Sequence, residues 1–420
     1  MINRRILGGY VTAIDIGTTK ICVLIASVDL RGNLEIVGIG QHPSHGLKKG
    51  VVVNIGMTVD SIKAALKEAE SMAGVKVESV YVGISGGHIR SCNSTGVVAI
   101  KGRDVTQYDI NRVIDAAKAV PLPKDQEILH VIPQYFRVDG QEFVLDSLGM
   151  YGVRLEAQVH IITGAVASAQ NIVKSCELAG VSVRDIVLEQ LASADAVLTT
   201  SEREMGVGIL DIGGGTSDFA IYKDGRIRHS KVIPIAGNHF TNDVAIGLGI
   251  PFQSAEELKR FYGTVAREGA ALLQNDYVDV ALGYTDGVKT VKLSLLSEIL
   301  HFRAEELFDF FADEIDQFRL KQFMPAGLVI TGGGALLDGV KELASERLGV
   351  PVRIGVPSSF SDQALPAQMP DLLKSPVYAT GYGLLVYATG ERSGSGANAD
   401  SDAVVTTLFK RMRSWIYDFF

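Results

Sequence analysis

Asp211-Ile212-Gly213-Gly214-Gly215-Thr216-Ser217-Asp218 ends one apolar run, Val207–Leu210, and opens another, Phe219–Tyr222. Apolar stretches on both sides of a short glycine turn read as two antiparallel strands. A second turn, Lys223-Asp224-Gly225, leads into a third strand, so Val207–Ser230 is a three-stranded meander. The same order occurs earlier. Val11–Gly38 reads VTAIDIGTTKICVLIASVDLRGNLEIVG, with Asp15-Ile16-Gly17-Thr18-Thr19-Lys20 at its first turn. Two copies of one meander predict an α/β chain with two related lobes facing each other.

The turns themselves carry chemistry. Glycine lets the backbone approach a ligand closely, so that successive N–H groups converge on an anion. Gly17, Thr18, Thr19 and Lys20 in the first turn, and Gly213, Gly214, Gly215 and Thr216 in the second, are the expected phosphate contacts. Asp15 and Asp211 would repel phosphate but suit a Mg²⁺ held through water. A third cluster, Gly332-Gly333-Gly334, ends the apolar run Leu328–Thr331 and opens a helix, where a sugar or α-phosphate could rest on backbone amides. Three such sites in one chain predict ATP with Mg²⁺.

The 420 residues allow two or more folding units, and 47% hydrophobic content excludes a disordered chain. No apolar run approaches the roughly 18–20 residues needed to cross a bilayer. Met1–Gly9 carries Arg4 and Arg5 ahead of an apolar stretch too short for a signal peptide, which runs straight into Asp15 and reads as a first strand. Cys22, Cys92 and Cys176 lack metal-ligand spacing and read as reduced, buried thiols. A net charge of −8 argues against a nucleic-acid partner.

Between the meanders, Thr58–Met72 has helical spacing and Val77–Ser85 reads as a strand. Residues 86–163 read as a separable α+β block inserted in the first lobe. It holds strands at Gly96–Ile100, Glu127–Val138 and Glu156–Ile162, and a helix Gln107–Val120 opened by Thr106. Helices over Gly164–Ala179 and Val187–Thr199 return to the lobe. The expected first lobe is thus 1–85 with 164–200 and 376–389, and the second is 201–375. Within the second come helices at Asn238–Gly247, Ser254–Tyr262 and Leu295–Leu320, a β-rich stretch Asp276–Lys292, and a helix running from Gly334 through Leu348. Tyr378–Ala388 is a small-residue helix. Residues 390–403 are rich in Gly, Ser, Asn and Asp and read as a flexible linker. In the tail, 404–420, Leu408, Phe409, Met412, Trp415, Ile416 and Phe419 share one helical face, with Lys410, Arg411 and Arg413 off it or at its edges. That pattern predicts an amphipathic helix lying in an anionic membrane surface.

The order of the three glycine turns resembles the actin, Hsp70 and sugar-kinase superfamily, whose fold is two-lobed, actin-like and RNase H-like. Within it the chain resembles the FtsA family of bacterial cell-division proteins. The shared features are Asp15–Lys20, Ser85–Ile89, His130-Val131-Ile132-Pro133-Gln134, Asp211–Asp218, Ile330–Gly334 and Thr380-Gly381-Tyr382-Gly383. The inserted block corresponds to that family's subdomain 1C, of the SHS2 kind. The resemblance implies adenosine on Gly332–Gly334 and on the helix carrying Glu257, Lys259 and Arg260. It also implies tethering of the tubulin-like protein FtsZ by its C-terminal tail on the second lobe. Phe302–Arg319, with Arg303 and Lys321 facing an acidic peptide, is a candidate for that contact. Later division proteins would meet the inserted block, copies of the chain would join head to tail, and the assembly would sit peripherally on the cytoplasmic side of the cell inner membrane.

Hydrolysis needs a group that orients water in line with the terminal phosphate. In related ATPases that role falls where this chain reads Val187-Leu188-Glu189-Gln190, with Glu-Gln replacing the usual Glu-Pro. Glu189 is the candidate catalytic residue, and slow or absent turnover is expected. A sugar or acid kinase, recruiting Glu189 or Asp218 as base, is the alternative.

Overall fold

The computed structural model describes residues 9–29, 32–102, 104–266, 276–282, 287–358 and 371–394. The first meander is Tyr10–Ile16, Lys20–Val28 and Leu34–Pro43, and the second is Val207–Ile212, Ser217–Lys223 and Arg226–Ile233. The repeat extends further than these strands. In the first sheet, Tyr10–Ile16 also pairs in parallel with Ser79–Ile84, which pairs in parallel with Ser182–Leu188. In the second, Val207–Ile212 pairs in parallel with Leu328–Thr331, followed by Val352–Ile354. Both sheets therefore have five strands in one order, three meandering and two added in parallel on the far side of the first strand.

Ser182–Leu188 corrects the expected helix over Val187–Thr199, whose helix is Glu189–Val197. The short apolar run Ile186–Leu188, preceded by the polar Arg184 and Asp185, is overrun in the sequence by the Ala-rich helix that follows. The expected helix from Gly334 to Leu348 is also divided. A short 3-10 turn, Gly333–Leu336, precedes the helix Val340–Leu348, and Gly339 at φ 78° separates them. Helix Ile55–Ala73 buries Val59, Ile62, Ala65, Leu66 and Ala69, the face expected from their spacing.

The inserted block forms its own four-stranded sheet, ordered Arg90–Ala99, Arg154–Ala165, Gln126–Val138 and Gln141–Val144. Helix Gln107–Ala117 packs on it and closes a separate core around Val113, Ile114, Leu155 and Ile161. Thr106 caps that helix with Asp109 in a reciprocal capping box. The block is not attached to the first lobe alone. Gln134 Nε2 donates to Ile227 O at 3.0 Å, and Ser91 Oγ donates to Ser230 O at 2.7 Å. His160 Nε2 lies 2.9 Å from Ser230 Oγ, and Arg226 donates to Pro133 O and Leu145 O, each at 3.0 Å.

Each lobe has a core of its own, and a third core lies between the two sheets. Two helices fill that middle layer, Glu189–Val197 and Ala379–Gly394. They cross so closely that a Cβ at Gly383 would lie 1.7 Å from Ala192 O. The second helix continues past the expected linker start at residue 390 as far as Gly394. The rest of that linker and the whole tail, Leu408, Phe409, Lys410, Arg411, Met412, Arg413, Trp415, Ile416 and Phe419 included, lie outside the described residues. Among the described residues no helix is long and apolar enough to cross a membrane. Cys22 and Cys176 are buried free thiols, whereas Cys92 is exposed on an inserted strand, contrary to expectation.

Candidate functional site

The first turn of each meander is built the same way. Gly17 N–H donates to Lys20 O at 3.0 Å, and Gly213 N–H donates to Thr216 O at 2.9 Å. The turns face each other across the gap between the sheets and touch. A Cβ at Gly214 would lie 2.4 Å from Thr19 Cγ2, and one at Gly215 would lie 2.3 Å from Thr18 Oγ1. Helix Gly237–Leu248 starts against the second turn, with Gly237 N–H on Gly213 O and Asn238 N–H on Gly214 O.

Four carboxylates converge beneath the turns. Asp15 and Asp211 end the first strands of the two meanders, Asp218 faces Asp211 across the second hairpin, and Glu189 begins the middle-layer helix. Asp211 Oδ2 accepts from Ser193 Oγ at 2.5 Å and from Thr380 Oγ1 at 3.1 Å. Asp218 Oδ1 accepts from Ser85 Oγ at 2.5 Å. Burial pushes Asp15 up to about 6, with Lys20 pulling down and Asp211 pushing further up. Burial likewise lifts Asp218 to about 7 against the Ser85 hydrogen bond. Asp211 is raised by burial and held back by its two hydroxyl donors. Glu189 is raised well above the usual carboxylate range by burial and then by Asp218, Asp15 and Asp211. It faces Gly83, where a Cβ would lie 3.1 Å from its Cγ. Gln190 beside it is buried with neither amide atom hydrogen-bonded.

The third cluster reaches the same place. A Cβ at Gly332 would lie 2.2 Å from Asp211 Oδ1, and one at Gly334 would lie 2.3 Å from Ile212 Cγ2. A Cβ at Gly333 meets nothing within 4 Å. Asp15, Gly17, Thr18, Thr19, Asp211, Gly213, Gly214, Gly215, Thr216, Gly332, Gly333, Gly334 and Glu189 are therefore gathered around one cleft. Lys20 is close by, but its Nζ donates to Val377 O at 2.8 Å and lies 4.3 Å from the Tyr378 ring centre. Lys259 is paired with Glu256 at 2.6 Å and donates to Thr241 Oγ1 at 2.8 Å. Glu257 and Arg260, on the same helix Phe252–Tyr262, are exposed. Arg303, expected to be free for an acidic peptide, is committed to Asp243 and Glu306. Ser85, Ser193 and Thr380 were not singled out as site residues. Ser193 lies 18 residues before its carboxylate, while Ser85 and Thr380, though within family-like stretches, reach theirs from more than a hundred residues away.

The expected ATP and Mg²⁺ fit this cleft. Carboxyls lifted first by burial, and in Asp15, Asp218 and Glu189 further by the charge of neighbouring carboxylates, are the groups a divalent cation returns to the ionised form. The side of Gly333 that a Cβ would occupy is open for a ligand.

A family profile described as "Cell division protein FtsA" matches residues 208–383, and one described as "SHS2 domain inserted in FTSA" matches residues 86–163. The cell division protein FtsA of Pseudomonas aeruginosa is 45% identical over 415 residues, covering 97% of this chain and 98% of that protein. The chain belongs to the FtsA family. FtsA of Escherichia coli K12 is 36% identical, with 97% of each chain covered. FtsA of Bacillus subtilis is 33% identical over 90% of this chain and 82% of its own. Among solved structures, the PilM-PilN type IV pilus biogenesis complex superposes with TM-score 0.66 at 16% identity, covering 90% of this chain and 98% of that one. MreB 5 of Spiroplasma citri bound to AMPPNP gives 0.54 at 14%, covering 92% and 98%. These likenesses establish the two-lobed actin-like fold with an SHS2 insertion. The FtsA-family chain is an actin-like protein of cell division, and the kinase alternative has no support among these relatives.

Proposed function

We propose that this FtsA-family chain is an ATP-set assembly switch that fastens the division apparatus to the cytoplasmic face of the inner membrane. The observation that carries it is the pair of identically bonded turns meeting over four carboxylates. ATP would lie between those turns, with Mg²⁺ held through water by Asp15 and Asp211 and adenosine near Gly332–Gly334 and the Glu257–Arg260 helix. Mg²⁺ supplies the positive charge that lets phosphate enter an acidic cleft. Two fold neighbours support the reading: MreB 5 carries AMPPNP, and MamK, at TM-score 0.50, is a double helical filament. Turnover is slow or absent in this reading, because Gln190 stands where related ATPases carry a proline after the carboxylate, so Glu189 is not aimed at the attacking water as it is in them.

In this reading 1–85, 164–200 and 376–389 form one lobe, 201–375 the other, and 86–163 the docking block for later division proteins. The FtsZ tail meets the second lobe near Phe302–Arg319. Residues 395–403 tether an amphipathic helix, 404–420, to anionic lipid. A buried large apolar side chain contributes at most about 1.5–3 kcal/mol, and ordering the helix offsets part of that. One tail therefore binds reversibly, while a head-to-tail polymer binds firmly through effective concentration.

Vesicle co-sedimentation tests this with the full chain and a chain ending at Ala403, each with and without ATP. The full chain should pellet with anionic vesicles more strongly with ATP, and the shorter chain should stay in solution. Pelleting of the shorter chain would overturn the tail assignment. Equal pelleting of the full chain with and without ATP would overturn the coupling.

A further inference from the structure

The cleft is rich in carboxylates, yet two nearby lysines have other partners, Lys20 at Val377 and Tyr378, and Lys259 at Glu256 and Thr241. A third lysine stands at the mouth. Lys49 and Gly50 are the two central residues of the turn joining Leu47–Lys48 to Val51–Val52, in which Leu47 pairs with Val52 and Lys48 with Val51. Both are left-handed, at φ 52° and 76°. A tight two-residue turn of this kind is the usual place of Asn-Gly or Gly-Gly. A lysine in its first position is strained where glycine would not be.

This strained turn reaches across the cleft. Gly50 N–H donates to Thr18 Oγ1 at 3.0 Å, in the first phosphate-type turn. A Cβ at Gly215, in the second, would lie 2.9 Å from Lys49 Cα. The Lys49 backbone therefore sits where the two turns meet. Its side chain is exposed and, among the described residues, makes no hydrogen bond or ion pair. His239, in the first turn of helix Gly237–Leu248, is held towards its neutral form by burial and then by the charge of Lys49. The ammonium is thus uncommitted and electrostatically within reach of the helix start that borders the second turn.

We infer that Lys49 is the cation that meets the terminal phosphate of a nucleoside triphosphate, so that the cleft distinguishes triphosphate from diphosphate. This rests on the cleft being a nucleotide site. A diphosphate leaves Lys49 without its partner, whereas a triphosphate gives it a charge-assisted hydrogen bond. Strain at this position is consistent with a functional residue held where glycine would relax the turn.

The test is calorimetric titration of the full chain with Mg·ATP and with Mg·ADP, for wild type, Lys49→Ala, Lys49→Arg and Lys49→Gly. Lys49→Ala should weaken ATP by about tenfold or more and ADP by less than about threefold, and Lys49→Arg should restore most of the difference. Lys49→Gly should lose the same ATP affinity while melting at a higher temperature than wild type, which excludes unfolding as the cause. Unchanged ATP affinity in Lys49→Ala, or equal losses for ATP and ADP, would overturn the assignment. If wild type binds ATP and Lys49→Ala binds it equally well, only this inference falls. A wild-type chain that binds neither nucleotide removes the nucleotide reading and this inference together.

Discussion

Gly214 and Gly333 look alike as members of glycine triplets, but a side chain at each meets different surroundings. At Gly214 it would strike Thr19 and force the two hairpins apart, whereas at Gly333 it would enter open space. Gly333→Asp is therefore the cleaner probe. Its unfolding free energy should stay within about 0.5 kcal/mol of wild type while ATP binding, followed by equilibrium titration, is lost. Gly214→Asp should lose binding and stability together. Tight binding by Gly333→Asp would move the nucleotide elsewhere. The glycines and Asp15 and Asp211 were legible because turn chemistry is local. Ser85, Ser193 and Thr380 were not, since their partners at Asp218 and Asp211 are brought near only by the closed fold. Lys20 follows directly after the first turn, but its terminal nitrogen is drawn away by Val377, far along the chain.

Among the elements, those with strong local signals were read most accurately. Thr106 announced the inserted helix, and its capping box with Asp109 is present. Thr106→Ala should lower unfolding free energy by about 1 kcal/mol, within a range of about 0.5–2, in urea denaturation. No loss would mean that Asp109 alone satisfies the helix start. Strand Ser182–Leu188 was missed for the opposite reason. Its partner, Ser79–Ile84, lies about a hundred residues earlier, and only that parallel pairing separates it from the helix beginning at Glu189. Strand Gln141–Val144 was missed for another reason: its Asp139-Gly140 turn is a local hairpin signal, but it pairs at only two positions with Gln126–Val138.

At the scale of the whole molecule, titratable groups oppose one another. His160 and His130 are held neutral by burial, down to about 3 and about 4, His160 also by the charge of His229. Their stabilisation is full above the ordinary histidine value of about 6.5 and is lost as pH falls below it, at about 1.4 kcal/mol per pH unit for each group. Asp15 and Asp218 run the other way, because carboxyls raised to about 6 and about 7 gain stability on acidification over the same range. Asp218→Asn removes one group that gains stability on acidification, so between pH 7 and pH 5 the urea midpoint should move towards lower stability in the variant relative to wild type, and parallel profiles for the two proteins would refute the raised carboxyl. The docking of the inserted block has a mechanical consequence. Its chain leaves and rejoins one lobe through covalent bonds, while it is held to strand Arg226–Ile233 of the other only by non-covalent contacts: the hydrogen bonds of Gln134, Ser91, His160 and Arg226, the Arg228 guanidinium over the Tyr135 ring, and Val232 in a core shared with Leu129 and Ile162. Any pull on the block is shared between an inextensible hinge and a row of weaker, non-covalent fasteners. The fasteners yield first, so tension applied there becomes rotation of one lobe against the other.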